Sequence, residues 1–167
     1  MSNAALNAWF AGHWSLQLQL IGITLLAVAG AILVHYEGLR QINLRVIRSR
    51  RRASHHLMLY ASYMVVLLHL VEILIFAAAF HYLKQIPGMG YLHDAHPHFY
   101  DSFYFSAMVF SSIGLGDLYP IGPIRLLTGI EGLVGLLLIG WSVSFTYWEM
   151  QTFWPHDTDH SNTPGSD

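Results

Sequence analysis

The residues best placed to do chemistry form one run, Ser111-Ser112-Ile113-Gly114-Leu115-Gly116-Asp117. Glycine lets successive backbone units take conformations forbidden to other residues. A loop needs that freedom if its carbonyl oxygens are all to point one way, so the chemistry of this run belongs to the main chain. Three ionisable groups, His69, Glu72 and Glu131, interrupt long apolar stretches. His69 and Glu72 are three apart, on one face of a helix, and can interact directly. They are either a hydrogen-bonded packing pair or a proton sensor. His93, Asp94, His96 and His98 carry imidazole and carboxylate ligands suited to a transition metal. Histidine also titrates near neutrality, and with 11 histidines in the chain accidental clusters are expected. A pH-sensitive turn and a plain solvated loop are the other roles open to this stretch. There is no cysteine, hence no disulfide, thiolate metal site or cysteine nucleophile.

The elements that position these residues are apolar. Of the 167 residues, 54% are hydrophobic and 11% charged, against about 25% charged in an average soluble domain. Mean hydropathy is +0.42. These values exclude a disordered chain, a nucleic-acid binder and an ordinary soluble enzyme. They indicate a membrane protein. A spanning helix needs about 20 mostly apolar residues, and three stretches qualify: 16–36, 57–82 and 124–148. The first lacks a basic leader and a small-residue cleavage site, so it reads as a retained helix rather than a signal peptide. Trp9, Trp14, Tyr82, Trp148 and Trp154 fall near the expected helix ends, where aromatic belts form.

Six of the eight basic residues lie between positions 40 and 52: Arg40, Arg45, Arg48, Arg50, Arg51 and Arg52. Short cytoplasmic loops collect such residues. The expectation is a cytoplasmic connector there, an N-terminus outside and a C-terminus inside, in a multi-pass protein of the cell (inner) membrane. Arg45, Arg48 and Arg51 are spaced as in a voltage sensor, but they are expected in a polar connector, where they set orientation and meet lipid headgroups.

The connection between the second and third spans carries an apolar aromatic run, Phe99–Phe110, too short to cross the membrane. A turn built on Gly114 and Gly116 and then a full span follow it. That order is the pattern of a re-entrant loop. Irregular backbone at membrane depth is tolerated only where protein buries it or where it lines a water-filled cavity.

The stretch from Asp101 to Asp117 resembles the pore helix and selectivity filter of potassium channels. The likeness is greatest to small bacterial channels with a two-pore-type ion-channel domain, whose filter usually reads Thr-Val/Ile-Gly-Tyr-Gly-Asp. Ser112, Ile113, Gly114, Leu115, Gly116 and Asp117 take those places. Tyr104 and Phe105, with Ser106, match the aromatic pair that braces such a filter, and residues 125–147 resemble the family's inner helix. The resemblance implies an all-α membrane protein. It has three transmembrane helices, with a re-entrant pore helix and filter loop between the second and third, and assembles as a homotetramer. The implied organisation is an outer segment 1–15, an additional helix with its Arg-rich loop over 16–56, a pore domain over 57–148 and a short tail over 149–167. It implies K+ at the backbone carbonyls of Ser112, Ile113, Gly114 and Leu115, with Ser111 and Glu131 in support and Asp117 hydrogen-bonded behind the loop. No cofactor beyond the permeant ion is implied, and the partners are K+, membrane lipid and three further copies.

Two departures bear on selectivity. Leu115 stands where tyrosine is usual; it keeps the packing into the family's aromatic cuff but loses a hydroxyl. Serines at 111 and 112 replace threonines and soften the filter. Glu131 faces the back of the filter or reaches solvent. Gly135 is a bending point of the inner helix or a site of close helix packing. His69, Glu72 and Gly135 are therefore the candidate gating residues. With so short a tail, gating is expected from the filter, helix bending, pH, lipid or a partner. Two alternatives remain: a weakly selective or non-conducting relative or accessory subunit, and a haem-binding cytochrome with His35 and His69 as axial ligands.

Overall fold

The computed structural model describes residues 3–49, 55–96 and 98–153, with the backbone alone for 3–13, 49, 55, 152 and 153. Helix α1 runs Asn3–Ser49 and α2 runs His55–Leu83; strand β1, Tyr91–His93, follows. Helix α3 is Phe99–Phe110, β2 is Tyr119–Ile121 and α4 is Arg125–Phe153. Three helices are long and apolar enough to cross a membrane, with candidate spans at Trp14–Arg48, His56–Leu83 and Arg125–Gln151. The helix between α2 and α4 has 12 residues, about 18 Å at 1.5 Å per residue, and cannot cross.

The first helix corrects two expectations. It begins within the segment 1–15, where alanines favour helix. It also continues through Arg40, Arg45 and Arg48, so these three lie on a helix and not in a connector. The reason is a buried stripe that does not stop at the apolar span. Leu20, Thr24, Ala27, Ala31, His35, Leu39, Ile42 and Val46 recur every three or four residues and are all buried. Leu39, Ile42 and Val46 pack with Ala61, Val65 and Leu68 of α2 in one apolar cluster. At 47 residues the helix is about 70 Å long, more than twice the roughly 30 Å hydrocarbon layer. Arg50, Arg51, Arg52 and Trp154 lie outside the described residues.

A larger cluster joins α2, α3 and α4 around Phe76, Phe80, Phe105, Phe110, Ile124, Leu127 and Leu138. In lipid such contacts act by close packing rather than by expulsion of water. The edge-on contact of Phe80 with Phe105, at 5.1 Å between ring centres, is worth about 0.5–1.5 kcal/mol. The β1–β2 ribbon was not expected. It is antiparallel, with Leu92 opposite Pro120, and brings the two ends of the segment containing α3 and its loop together at the foot of α4.

Candidate functional site

The loop 111–117 hangs from the C-terminus of α3. Ser102, Phe105, Ser106 and Phe110 are the buried residues of α3, spaced three and four apart on one face. Asp101 in the first turn suits the positive end of the helix dipole, and its carboxylate accepts from the His96 backbone N–H. Lys84, just past α2, has its pKa lowered by burial, with Asp101 pulling the other way.

The α3 helix closes through Ser111 N–H to Ala107 O (3.1 Å) and Ser112 N–H to Val109 O (3.0 Å); Gly114 N–H then reaches back to Met108 O (3.2 Å). φ is positive at Ser112 (58°), Gly114 (54°) and Gly116 (81°), and at neither Ile113 nor Leu115. The sign of φ thus alternates over these five residues, a backbone path that glycine adopts at no steric cost. A Cβ added at Gly114 or Gly116 would meet nothing within 4 Å. Glycine is needed there for its backbone, not for space. Ser112 carries the same conformation with a side chain, at about 1–2 kcal/mol.

The expected bracing pair divides its work. Tyr104 donates its hydroxyl to Asp117 Oδ2 at 2.9 Å, tying the helix to the far end of the loop. That bond, followed by burial, raises the phenol pKa above its ordinary value. Phe105 turns the other way, onto Phe80. The Ser111 hydroxyl also turns back, to Ala107 O at 2.6 Å. Ile113 and Leu115 are 60% and 66% exposed, so no aromatic cuff surrounds Leu115 within one chain.

Glu131 is fully buried, which removes the solvated alternative. Ser106 Oγ lies between its carboxyl and the Ile73 carbonyl oxygen, 3.0 Å away. One hydroxyl proton serves one of these two acceptors at a time. Both are satisfied together when the carboxyl brings a proton of its own. The node joins α2, α3 and α4. One turn along α4, a Cβ on Gly135 would stand 2.2 Å from Phe110 O. Gly135 is thus a place of close approach inside an unbroken helix.

Glu72 is also fully buried and is held from two sides. Its Oε1 lies 2.8 Å from His35 Nδ1 and its Oε2 2.8 Å from His69 Nδ1. His35 was outside the expected gating set. The signal was its place in an apolar span, where an ionisable group needs a partner; nothing in the spacing said which. The His35 and His69 rings are stacked, 5.6 Å apart. Axial ligands face each other across a macrocycle, which these two stacked rings do not do. Outside the spans, His93 pairs with Asp94 at 3.1 Å and stacks on Tyr119, while His96 lies 3.4 Å from Asp101. Among the described residues these histidines form no three-ligand cluster.

Residues 68–150 match the family described as "Ion channel". The segment belongs to an ion-channel family. The matched segment takes in the second half of α2, all of α3, its loop and nearly all of α4, and leaves out α1. No curated protein and no solved structure matched the chain. The matched family is one of ion channels and not of enzymes, and the chain's three long apolar helices indicate a multi-pass membrane protein.

Proposed function

We propose that four copies of this chain surround a potassium-selective pore that conducts K+ down its electrochemical gradient. The observation that carries the proposal is the alternating φ sign through Ser112, Gly114 and Gly116, in a loop hung from a non-spanning helix. A potassium ion entering a narrow pore sheds its water, and rings of carbonyls replace it. The carbonyls of Ser112, Ile113, Gly114 and Leu115 are the ligands in this reading, and the Ser112 hydroxyl closes the innermost site. Tyr104 with Asp117 holds the loop's outer end, and Glu131 with Ser106 holds its helix.

One chain contributes one loop, so a closed ring needs copies, and rotational symmetry is the usual solution. The exposure of Ile113 and Leu115 supports this, because a neighbouring copy supplies the cover one chain lacks. The arginines at 40–52 place the connection between α1 and α2 in the cytoplasm, with the N-terminus outside and the C-terminus inside the cell membrane.

Purified protein in liposomes under a potassium gradient, with sodium as control, tests the proposal. Flux of potassium and not sodium is expected. Gly114→Ala should abolish current, because the side chain opposes the left-handed backbone; normal current from that variant overturns the filter assignment. Leu115 favours a second reading, a weakly selective or non-conducting relative, since leucine offers no hydroxyl to a neighbour. Reversal potentials in mixed potassium and sodium separate weak from strong selectivity, and absence of all flux identifies an accessory subunit.

A further inference from the structure

The pore reading leaves one cluster unused. His35 from α1 and His69 and Glu72 from α2 bring one ligand atom each to within 4.8 Å of one another. His35 and Glu72 are fully buried, and the His69 side chain is 18% exposed. Trp141 of α4 lies against His35 at 5.3 Å and Phe110 of α3 against His69 at 5.7 Å. The site is therefore aromatic-walled, within the apolar spans, and spread over two helices. His35 Nε2 is buried with no hydrogen-bond partner among the described residues.

We propose that His35, His69 and Glu72 form a binding site for a divalent transition metal of the zinc class, which fastens α1 to α2 beside the end of the pore helix. Two imidazole nitrogens and a carboxylate are ligands such ions accept, and hard cations such as Mg2+ and Ca2+ do not prefer imidazole. Ligand atoms about 2.1 Å from a tetrahedral ion stand about 3.4 Å apart. Each Nδ1 lies 2.8 Å from a different oxygen of Glu72, and one ligand atom from each residue falls within 4.8 Å of the others, so the separations bracket that value. Three protein ligands leave a fourth position for water. The charge also balances. Neutral imidazoles leave the Glu72 carboxylate uncompensated in an apolar layer, a costly state. A divalent ion supplies the missing positive charge beside that carboxylate. Occupancy would join α1, which lies outside the matched channel domain, to α2, where the His69 ring packs on Phe110 at the end of α3. The loop begins one residue later.

The test uses the untagged full-length protein in detergent, stripped with a chelator and titrated with Zn2+ alone. Calorimetry and elemental analysis should give about one zinc per chain. His35→Gln and His69→Gln should each weaken binding by at least about tenfold, the minimum seen for supporting residues of metal sites. The paired His93→Gln/His96→Gln variant should bind as the wild type does. X-ray absorption of the zinc-loaded wild type should show two imidazole scatterers, a readout that needs no variant to fold. No zinc above the chelator background, binding unchanged in His35→Gln, binding lost in the His93/His96 variant, or fewer than two imidazoles each overturns the site. A cluster that takes up only protons gives the first of these results. None of the readouts requires ion flux, so failure of the pore proposal leaves this one standing.

Discussion

Two buried glutamates lie near α3 and differ in what holds them. Glu131, on α4, meets a single serine hydroxyl that already has a carbonyl acceptor. Glu72, on α2, meets two imidazoles from two helices. A carboxyl with a hydroxyl neighbour is a link in a hydrogen-bond chain. A carboxylate between two imidazoles makes a place for a cation. The same side chain, equally buried, thus serves structure at one place and offers a ligand set at the other. Phe110 touches both regions: its backbone fills the gap at Gly135 and its ring packs on His69.

The contrast predicts unequal losses. Glu72→Leu should be the most damaging, because it strands two imidazoles. At about 1–3 kcal/mol for each buried polar group left unpaired, a loss of roughly 2–6 kcal/mol is expected in equilibrium unfolding. A loss below about 1 kcal/mol would show that the imidazoles do not depend on Glu72. Gly135→Ala comes next. The new methyl group meets backbone rather than a flexible side chain, and overpacking of this kind costs about 1–3 kcal/mol. Thermal unfolding should show it, and an unchanged melt would mean that α3 does not rest on α4 as described. Glu131→Leu should cost less than about 1 kcal/mol, since Ser106 keeps Ile73 as its acceptor and an apolar replacement of similar shape is nearly neutral. A loss as large as that of Glu72→Leu would erase the distinction between the two sites.

The smallest effect belongs to Tyr104→Phe, at the exposed outer end of the loop. The phenol's pKa is raised above its ordinary value near 10 by the bond to Asp117. Its contribution is therefore fully present below pH 10 and is lost as pH climbs through the raised value. The wild-type advantage over Tyr104→Phe in unfolding should be constant up to about pH 10 and shrink above it. A constant difference at all pH values would show that the hydroxyl is not bonded to the carboxylate.

Much of the segment around α3 is legible in the sequence. The Phe99–Phe110 run was bounded by a His-rich turn and by serines and glycines, and α3 has those limits. The handedness of the loop could be expected from Gly114 and Gly116, because glycine adopts positive φ at no steric cost. The left-handed Ser112 could not, since nothing local demands it. Charge alone marks too early an end for α1, which runs on to Ser49. The buried stripe at Leu39, Ile42 and Val46 continues at the same spacing as before, and it was hidden among arginines. Gly135 was left between hinge and packing because a missing side chain looks the same in both roles until its neighbour is known.

By itself the sequence determined that the chain lives in a membrane, where its spans lie, which short helix does not cross and which backbone run is free to turn its carbonyls one way. These follow from composition and from local conformational preference, which each residue carries with it. The tertiary structure alone decided that His35 meets Glu72, that Ser106 meets Glu131 and that Phe110 occupies the gap at Gly135. Helical spacing says which residues share a face, but not which face of another helix lies opposite. That choice is made by the packing of whole helices against one another.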